Sequence, residues 1–326
     1  MGSEMCIRDR IVGSIGYDDI ETPIATGSDI LGGSAVHAGV SSSFHLPETP
    51  EGVRRVGLVA PIGNDFSVIH QSKLEDLGID FSGVEKLSGK TFRWSGRYSG
   101  TMENVETIST EVNVLGDFSP EIPDSWRAPN VLFCANTHPA SQVLVLDQCP
   151  SSEITAIDTF MLWIETEFES LSTALRKADL AILNEEEVCA ISGEDFFMKA
   201  IEPILSGACL HGGESAGSGP SGLVIKRGSS GVFAHLPCGI ISLPSFPISE
   251  VVDPTGCGDS FAGALLANMS QRKGILNDIE SMRDAMVHAT VTSSFTIQGL
   301  GTNKLQGLER GLYHARMDSF RRIVGL

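Results

Sequence analysis

Between Val251 and Met269 the chain reads VVDPTGCGDSFAGALLANM, the strongest concentration of potential chemistry in the sequence. An extended run ends near Asp253, the small residues Gly256, Cys257 and Gly258 follow, and a helix begins whose face is Phe261, Ala262, Ala264, Leu265 and Leu266. Glycine lets the backbone approach a ligand closely, and a helix start leaves N–H groups without intrahelical partners, so the segment can form an anion hole. Asp259 stands inside it, where a carboxylate could take the proton of a hydroxyl that attacks phosphorus. The same letters also suit an ordinary capping aspartate with glycines that serve only the turn. The spacing is not that of a P-loop, and Gly13 and Gly16 alone fall short of a dinucleotide-binding fingerprint.

These residues need a frame. Short runs rich in Val, Ile and Leu alternate with helical patterns, as in VRRVGLVAPIG followed by DFSVIHQSKLEDLG. Further strands are expected at 131–135, 153–158, 180–183 and 222–226, and helices at about 138–148, 161–177, 185–207, 258–272 and 278–295. Parallel strands need such crossovers, so a mostly parallel sheet with helices on both faces is the economical arrangement. IVGSIGYDDIETP reads as a single edge-to-core strand. Two segments depart from the alternation: DIETPIATGSDI and KTFRWSGRYSGTMENVETISTEVNVL mix Thr, aromatic and β-branched residues with charges. They predict a small antiparallel sheet, at about 18–31 and 89–115, lying as a lid over the ligand-bearing edge. HGGESAGSGPSGL, from 211, reads as a flexible surface loop. Asn136, His138 and Asp158 fall at expected strand ends, where open α/β sheets bind ligands.

Composition narrows the function. The 326 residues carry 41 acidic and 23 basic side chains, a formal charge of −18. That balance argues against nucleic-acid binding, and the sequence has no apolar run long enough to span a bilayer. Seven cysteines, none closer than 15 residues to another, suggest neither a disulfide framework nor a CxxC zinc pair, and point to a reducing, cytoplasmic setting. No signal peptide is expected. The opening MGSEMCIRDR fits neither periodicity, so residues 1–10 are expected to be a non-native or disordered tail before a single domain at 11–326.

DPTGCGDSFAGA resembles the second signature of the ribokinase-like, PfkB-type carbohydrate kinases, and LGGSAVHAGVSSS from 31 resembles their first, glycine-pair signature. In order along the chain, GSIGYDD resembles the family's first strand with its substrate-binding acid, VGLVAPIGNDF its Gly-Asp loop, LNEEE its NxxE motif, and VIKRGSSGV its nucleotide-side strand and turn. The match extends over residues 11–302. The resemblance implies a three-layer αβα ribokinase-like fold with a small antiparallel β-lid, and ATP-dependent, Mg2+-requiring phosphorylation of a primary hydroxyl on a sugar or sugar-like substrate. A nucleoside kinase of the same fold, or a catalytically silent metabolite sensor, stands as the alternative.

Residue by residue, the resemblance makes Asp259 the general base and Gly256, Cys257 and Gly258 the donors to the transferring phosphoryl group. Where Cys257 stands the family usually has Ala; an exposed thiol at a helix start would be redox-sensitive. Asn184 and Glu187 would organise Mg2+ and the phosphates through water, although Glu185 to Glu187 also suit a solvated acidic first turn. Asp18 would hold sugar hydroxyls from the end of the first strand, with Asp19 facing the other way. Gly32 and Gly33 would let the chain bend as the lid closes. His37 replaces the family's usual Asn, which puts a plain ribose or fructose substrate in doubt. Lys226, Gly228 and Gly231 would lie under the ATP phosphates and ribose, and His288 beside the adenine. Asp253 with the Thr255 carbonyl resembles a monovalent-cation position, for K+. Arg93, Trp94, Arg97 and Tyr98 could offer the substrate a stacking face and positive charge, and equally suit cross-strand pairing. Apolar residues on the lid suit a lid-to-lid homodimer, and a closed monomer is equally allowed.

Overall fold

The computed structural model describes residues 8–103 and 105–326. Thirteen strands are found among them: β1 (Asp9–Val12), β2 (Gly16–Glu21), β3 (Thr26–Gly32), β4 (Val56–Ile62), β5 (Ile79–Lys86), β6 (Phe92–Tyr98), β7 (Val105–Glu111), β8 (Val131–Cys134), β9 (Ile154–Ile157), β10 (Leu180–Asn184), β11 (Gly222–Lys226), β12 (Val232–Leu236) and β13 (Gly239–Leu243). The large sheet has the order β13-β12-β11-β10-β9-β8-β1-β4-β5. From β5 to β11 every pairing is parallel, and β12 and β13 extend the sheet antiparallel.

A parallel sheet covered on both faces needs strands that are apolar throughout, and all seven residues of β4, VGLVAPI, are buried. Alternation then sends successive residues into different layers. Ile11 packs into one apolar cluster with residues of the helices Ser34–His45, Cys257–Met269 and Ile279–Thr296. Val12, its neighbour, packs into the other with residues of Pro139–Gln148, Phe168–Lys177 and Phe197–Ser206. The result is the expected three-layer αβα arrangement. No helix among the described residues is long and apolar enough to cross a membrane.

The expected lid is a four-stranded sheet in the order β3-β2-β6-β7. It is not wholly antiparallel, because β2 and β6 run parallel. Both strands arrive from the large sheet in the same direction, β2 after β1 and β6 after β5. The run IVGSIGYDDIETP is therefore two strands, with β1 in the core ending at Val12 and β2 in the lid starting at Gly16. Asp18 sits on the lid, not at the end of the first core strand.

Other boundaries shift for local reasons. The first strand starts at Asp9, two residues before the expected domain boundary, and residues 1–7 of the expected tail lie outside the described residues. The helix expected at 185–207 breaks into Glu185–Ser192 and Phe197–Ser206, because Gly193 closes the first at φ 72°. The helix expected at 161–177 breaks at Glu167. The Gly/Ser-rich segment from 211 is pinned, not free: the Arg176 guanidinium donates to the carbonyls of Gly213 and Gly217 within it and of Gly207 just before it.

Candidate active site

Three neighbouring strands, β9, β10 and β11, end together, and the residues at their C-terminal ends form one cluster. Lys226 closes β11 and its Nζ lies 2.7 Å from Oδ2 of Asp158, which directly follows β9. Asn184 closes β10 and caps the next helix. Its Oδ1 accepts from the Glu187 N–H while Glu187 Oε2 accepts from the Asn184 N–H, each at 2.8 Å. This reciprocal capping box is what the NxxE spacing encodes locally. It also carries Glu187 inward, to 3% exposure, so a solvated first turn describes Glu186 and not Glu187. Glu185 is held by Arg227, 2.6 Å away.

The glycine-rich loop meets this cluster from the next layer. Asp253 is fully buried; its Oδ1 accepts from the Thr255 N–H and its Oδ2 from the Gly301 N–H, both at 2.9 Å. Each oxygen of the expected cation ligand thus already takes a backbone donor. Gly256 caps the helix Cys257–Met269 at φ 69°, and a β-carbon there would strike the His37 imidazole. A β-carbon on Gly258 would lie 3.1 Å from Lys226 Nζ, so the helix start and the ammonium share one small space. Asp259 is in the first turn of that helix. The Cys257 thiol is turned inward, 3.9 Å from the Ser293 carbonyl, and burial pushes its pKa up to about 11. The thiol, expected to be exposed, is partly buried, and the raised pKa disfavours the reactive thiolate.

Burial dominates the electrostatics. It raises the pKa of Asp259, against the pull of Lys226. It raises Asp158, again opposed by Lys226, and takes Glu187 up to about 8, with the Asp158 charge adding to the rise. Burial alone would lower Lys226, but Asp158 and Glu187 outweigh it and hold the ammonium charged. Three carboxyl groups face one cation, so the cluster falls two positive charges short when fully ionised. That deficit fits a divalent cation such as Mg2+.

In the lid, β2 and β6 pair with Asp18 opposite Trp94 and Ile20 opposite Gly96. Alternation along the two strands places Asp18, Trp94 and Tyr98 on one face. The opposite face carries Arg93, which pairs with Asp29 and Asp65, and Arg97, which pairs with Glu21 and Glu106. The arginines expected to offer charge to a substrate are thus spent on the outer face. Asp18 is 4% exposed and its pKa rises to about 8, first through burial and then through Asp253 and Asp259. Asp19 is exposed and accepts from the Asp29 N–H. Gly32 leaves room for the Asp18 carboxyl, and Gly33, at φ 98°, lies against the Ser14 carbonyl. The Trp94 ring folds over Gly96. His37 is 0% exposed, both ring nitrogens lack a hydrogen-bond partner, and burial lowers its pKa to about 4. It forms a neutral floor beneath Gly256.

The Gly-Asp loop braces the lid. Asp65 Oδ1 accepts both the N–H and the hydroxyl of Thr91, at 2.7 Å each, just before β6 begins. Gly228 and Gly231, expected under the ATP phosphates, bound the turn between β11 and β12, at φ 51° and 88°. His288, expected beside the adenine, meets the Tyr313 hydroxyl through its Nδ1 at 2.5 Å, and its Nε2 lies 3.9 Å from Asp284. Asn136 and His138, expected at a ligand-binding edge, do structural work. Asn136 Oδ1 accepts from the Trp163 indole, and His138 Nδ1 caps the helix Pro139–Gln148.

The fold as a whole recurs in solved structures. Ribokinase from Giardia lamblia superimposes with a TM-score of 0.77 at 17% identity, over 96% of this chain and 100% of that one. A Burkholderia thailandensis nucleoside kinase in complex with inosine gives 0.75 at 16% identity, over 96% and 98%. At such identities the likeness is one of fold, and the fold is ribokinase-like. Sequence adds a cytidine kinase from Thermococcus kodakarensis, 28% identical over 269 residues, 80% of this chain and 88% of that protein. The profile of the pfkB family carbohydrate kinases matches residues 134–306. The chain belongs to that family.

Proposed function

We propose that the protein is an ATP-dependent kinase that transfers the γ-phosphoryl group to the primary hydroxyl of a sugar or of a sugar-bearing acceptor. The observation that carries this reading is the convergence of Asp259, the helix start at Gly256 to Gly258, and the Lys226 ammonium. Asp259 accepts the hydroxyl proton as the new O–P bond forms, and the bond from the γ-phosphorus to the bridging oxygen breaks, leaving ADP. The N–H groups of the glycine-rich loop donate to the phosphoryl oxygens as their charge spreads, and because the loop is already shaped they do so without reorganising. Lys226, held by Asp158, adds fixed positive charge. Asp18, kept largely protonated by burial, can both donate to and accept from acceptor hydroxyls. Glu187, through water, would hold Mg2+, which when bound supplies charge neutralisation at the phosphates.

A ribonucleoside acceptor is the second reading. It is favoured by the cytidine kinase relative and by Trp94, which shares a face with Asp18 and could stack on a base. A panel of pentoses, hexoses and ribonucleosides with ATP and Mg2+, read as ADP release, tests both. Turnover of a free sugar supports the first reading, and turnover of nucleosides alone supports the second. Thermal stabilisation by a panel member without ADP release from any of them would overturn both in favour of a silent sensor.

A further inference from the structure

The lid and the anion loop are joined by a side-chain contact that no catalytic motif requires. Tyr98, the last residue of β6, points to the same face as Asp18 and Trp94, and its hydroxyl lies 3.1 Å from Thr255 Oγ1. The phenol is largely buried and feels Asp253, Asp18 and Cys257, so it stands between the acceptor side and the glycine-rich loop. Thr255 immediately precedes Gly256, the left-handed cap whose amide opens the anion hole. Its backbone N–H is held from below by Asp253, which reaches on to Gly301, and its hydroxyl is held from above by Tyr98. The hairpin that carries Tyr98 is tied down elsewhere too. Its base is fixed by Asp65 on Thr91, and at its far end Ser229 Oγ donates to Glu103 Oε1 at 2.7 Å, on the turn expected under ATP.

We propose that Tyr98 is a positioning residue for phosphoryl transfer: closure of the lid brings its hydroxyl onto Thr255 and so fixes the direction in which the Gly256 to Gly258 amides point. The physical basis is that donors to a developing charge act through their orientation, and a loop clamped on one side only by Asp253 keeps a rotational freedom that the second clamp removes. The inference rests on the kinase reading above, and it adds a coupling between acceptor enclosure and phosphoryl stabilisation. A lid that only excluded water would need no specific bond to Thr255.

The test uses the full chain. Tyr98→Phe keeps the ring and removes the hydroxyl, Thr255→Val removes its partner, and Thr255→Ser restores a hydroxyl at the same place. For the acceptor found in the panel, kcat is expected to fall roughly tenfold in Tyr98→Phe and in Thr255→Val. Acceptor KM should stay within about threefold, Thr255→Ser should retain most of kcat, and the double variant should be no worse than either single one. Losses that multiply in the double variant, or a change confined to KM, would overturn the proposal. A second measurement needs no substrate: amide hydrogen exchange across 253–258 should be faster in Tyr98→Phe than in the wild type. Unchanged exchange there would also overturn it, whether or not an acceptor has been identified, so failure of the kinase reading and failure of this one remain distinct.

Discussion

Asp18 shows how much a single buried carboxyl can hold against the stability of its own protein. Its ordinary pKa is 3.8 and the site raises it to about 8. Between those values the unfolded chain releases the proton and the folded chain keeps it, so the contribution of Asp18 to stability is fully present below pH 4 and is lost as pH rises toward 8. Asp18→Asn removes the titration while keeping the shape. The variant is therefore expected to melt about a few degrees above the wild type at pH 8, with the gap shrinking by pH 5, while acceptor turnover falls. Differential scanning calorimetry at the two pH values checks this, and an equal gap at both would contradict it. The Asp158 and Lys226 pair is the residue-scale feature that sequence conceals. The two stand 68 positions apart, and only the strand order β9-β10-β11 brings them to 2.7 Å. A strand-end lysine and a strand-end aspartate were each visible, but nothing local joined them.

Among the elements, the helix Glu185–Ser192 shows a motif with two tasks. Asn184 and Glu187 satisfy each other's backbone N–H groups, and the same geometry turns the Glu187 carboxyl inward to the cluster of Asp158 and Lys226. Asn184→Ala should cost about 1 kcal/mol of unfolding free energy through the lost cap, and Asn184→Asp, which can still accept from the Glu187 N–H, should recover most of it. Urea denaturation of both variants provides the measurement; equal losses would show that the cap contributes little. The elements of the core were largely legible, because a strand buried on both faces, such as β4, announces itself by unbroken apolar letters. Periodicity misjudged the joints. The passage from core to lid in IVGSIGYDD falls at Gly13, Ser14 and Gly16, which equally suit a bulge within one strand, and reading through them placed Asp18 on the wrong sheet. The lid's face assignment was likewise hidden, because Arg93 and Trp94 are adjacent in sequence and opposite in space.

For the whole molecule, the charge of −18 and an anionic nucleotide are reconciled by local arrangement. On the proposed reading, the glycine-rich helix start, Lys226 and a divalent cation that Glu187 would hold through water would together make a positive pocket in a negative body. The order of motifs along the chain announced the fold, since the glycine pair, the NxxE segment and DPTGCGD all return to one edge of one sheet. What their order could not announce is that the lid touches the glycine-rich loop through Tyr98, a contact between segments 157 residues apart. The central claim is that Asp259 takes the acceptor proton within this pocket. Its most direct test is Asp259→Asn, assayed for ADP release with the panel's best acceptor and, separately, for nucleotide affinity by calorimetry. The account predicts that kcat falls by about a thousandfold or more while the nucleotide dissociation constant stays within a few-fold of the wild type. Near-normal turnover in that variant would contradict it.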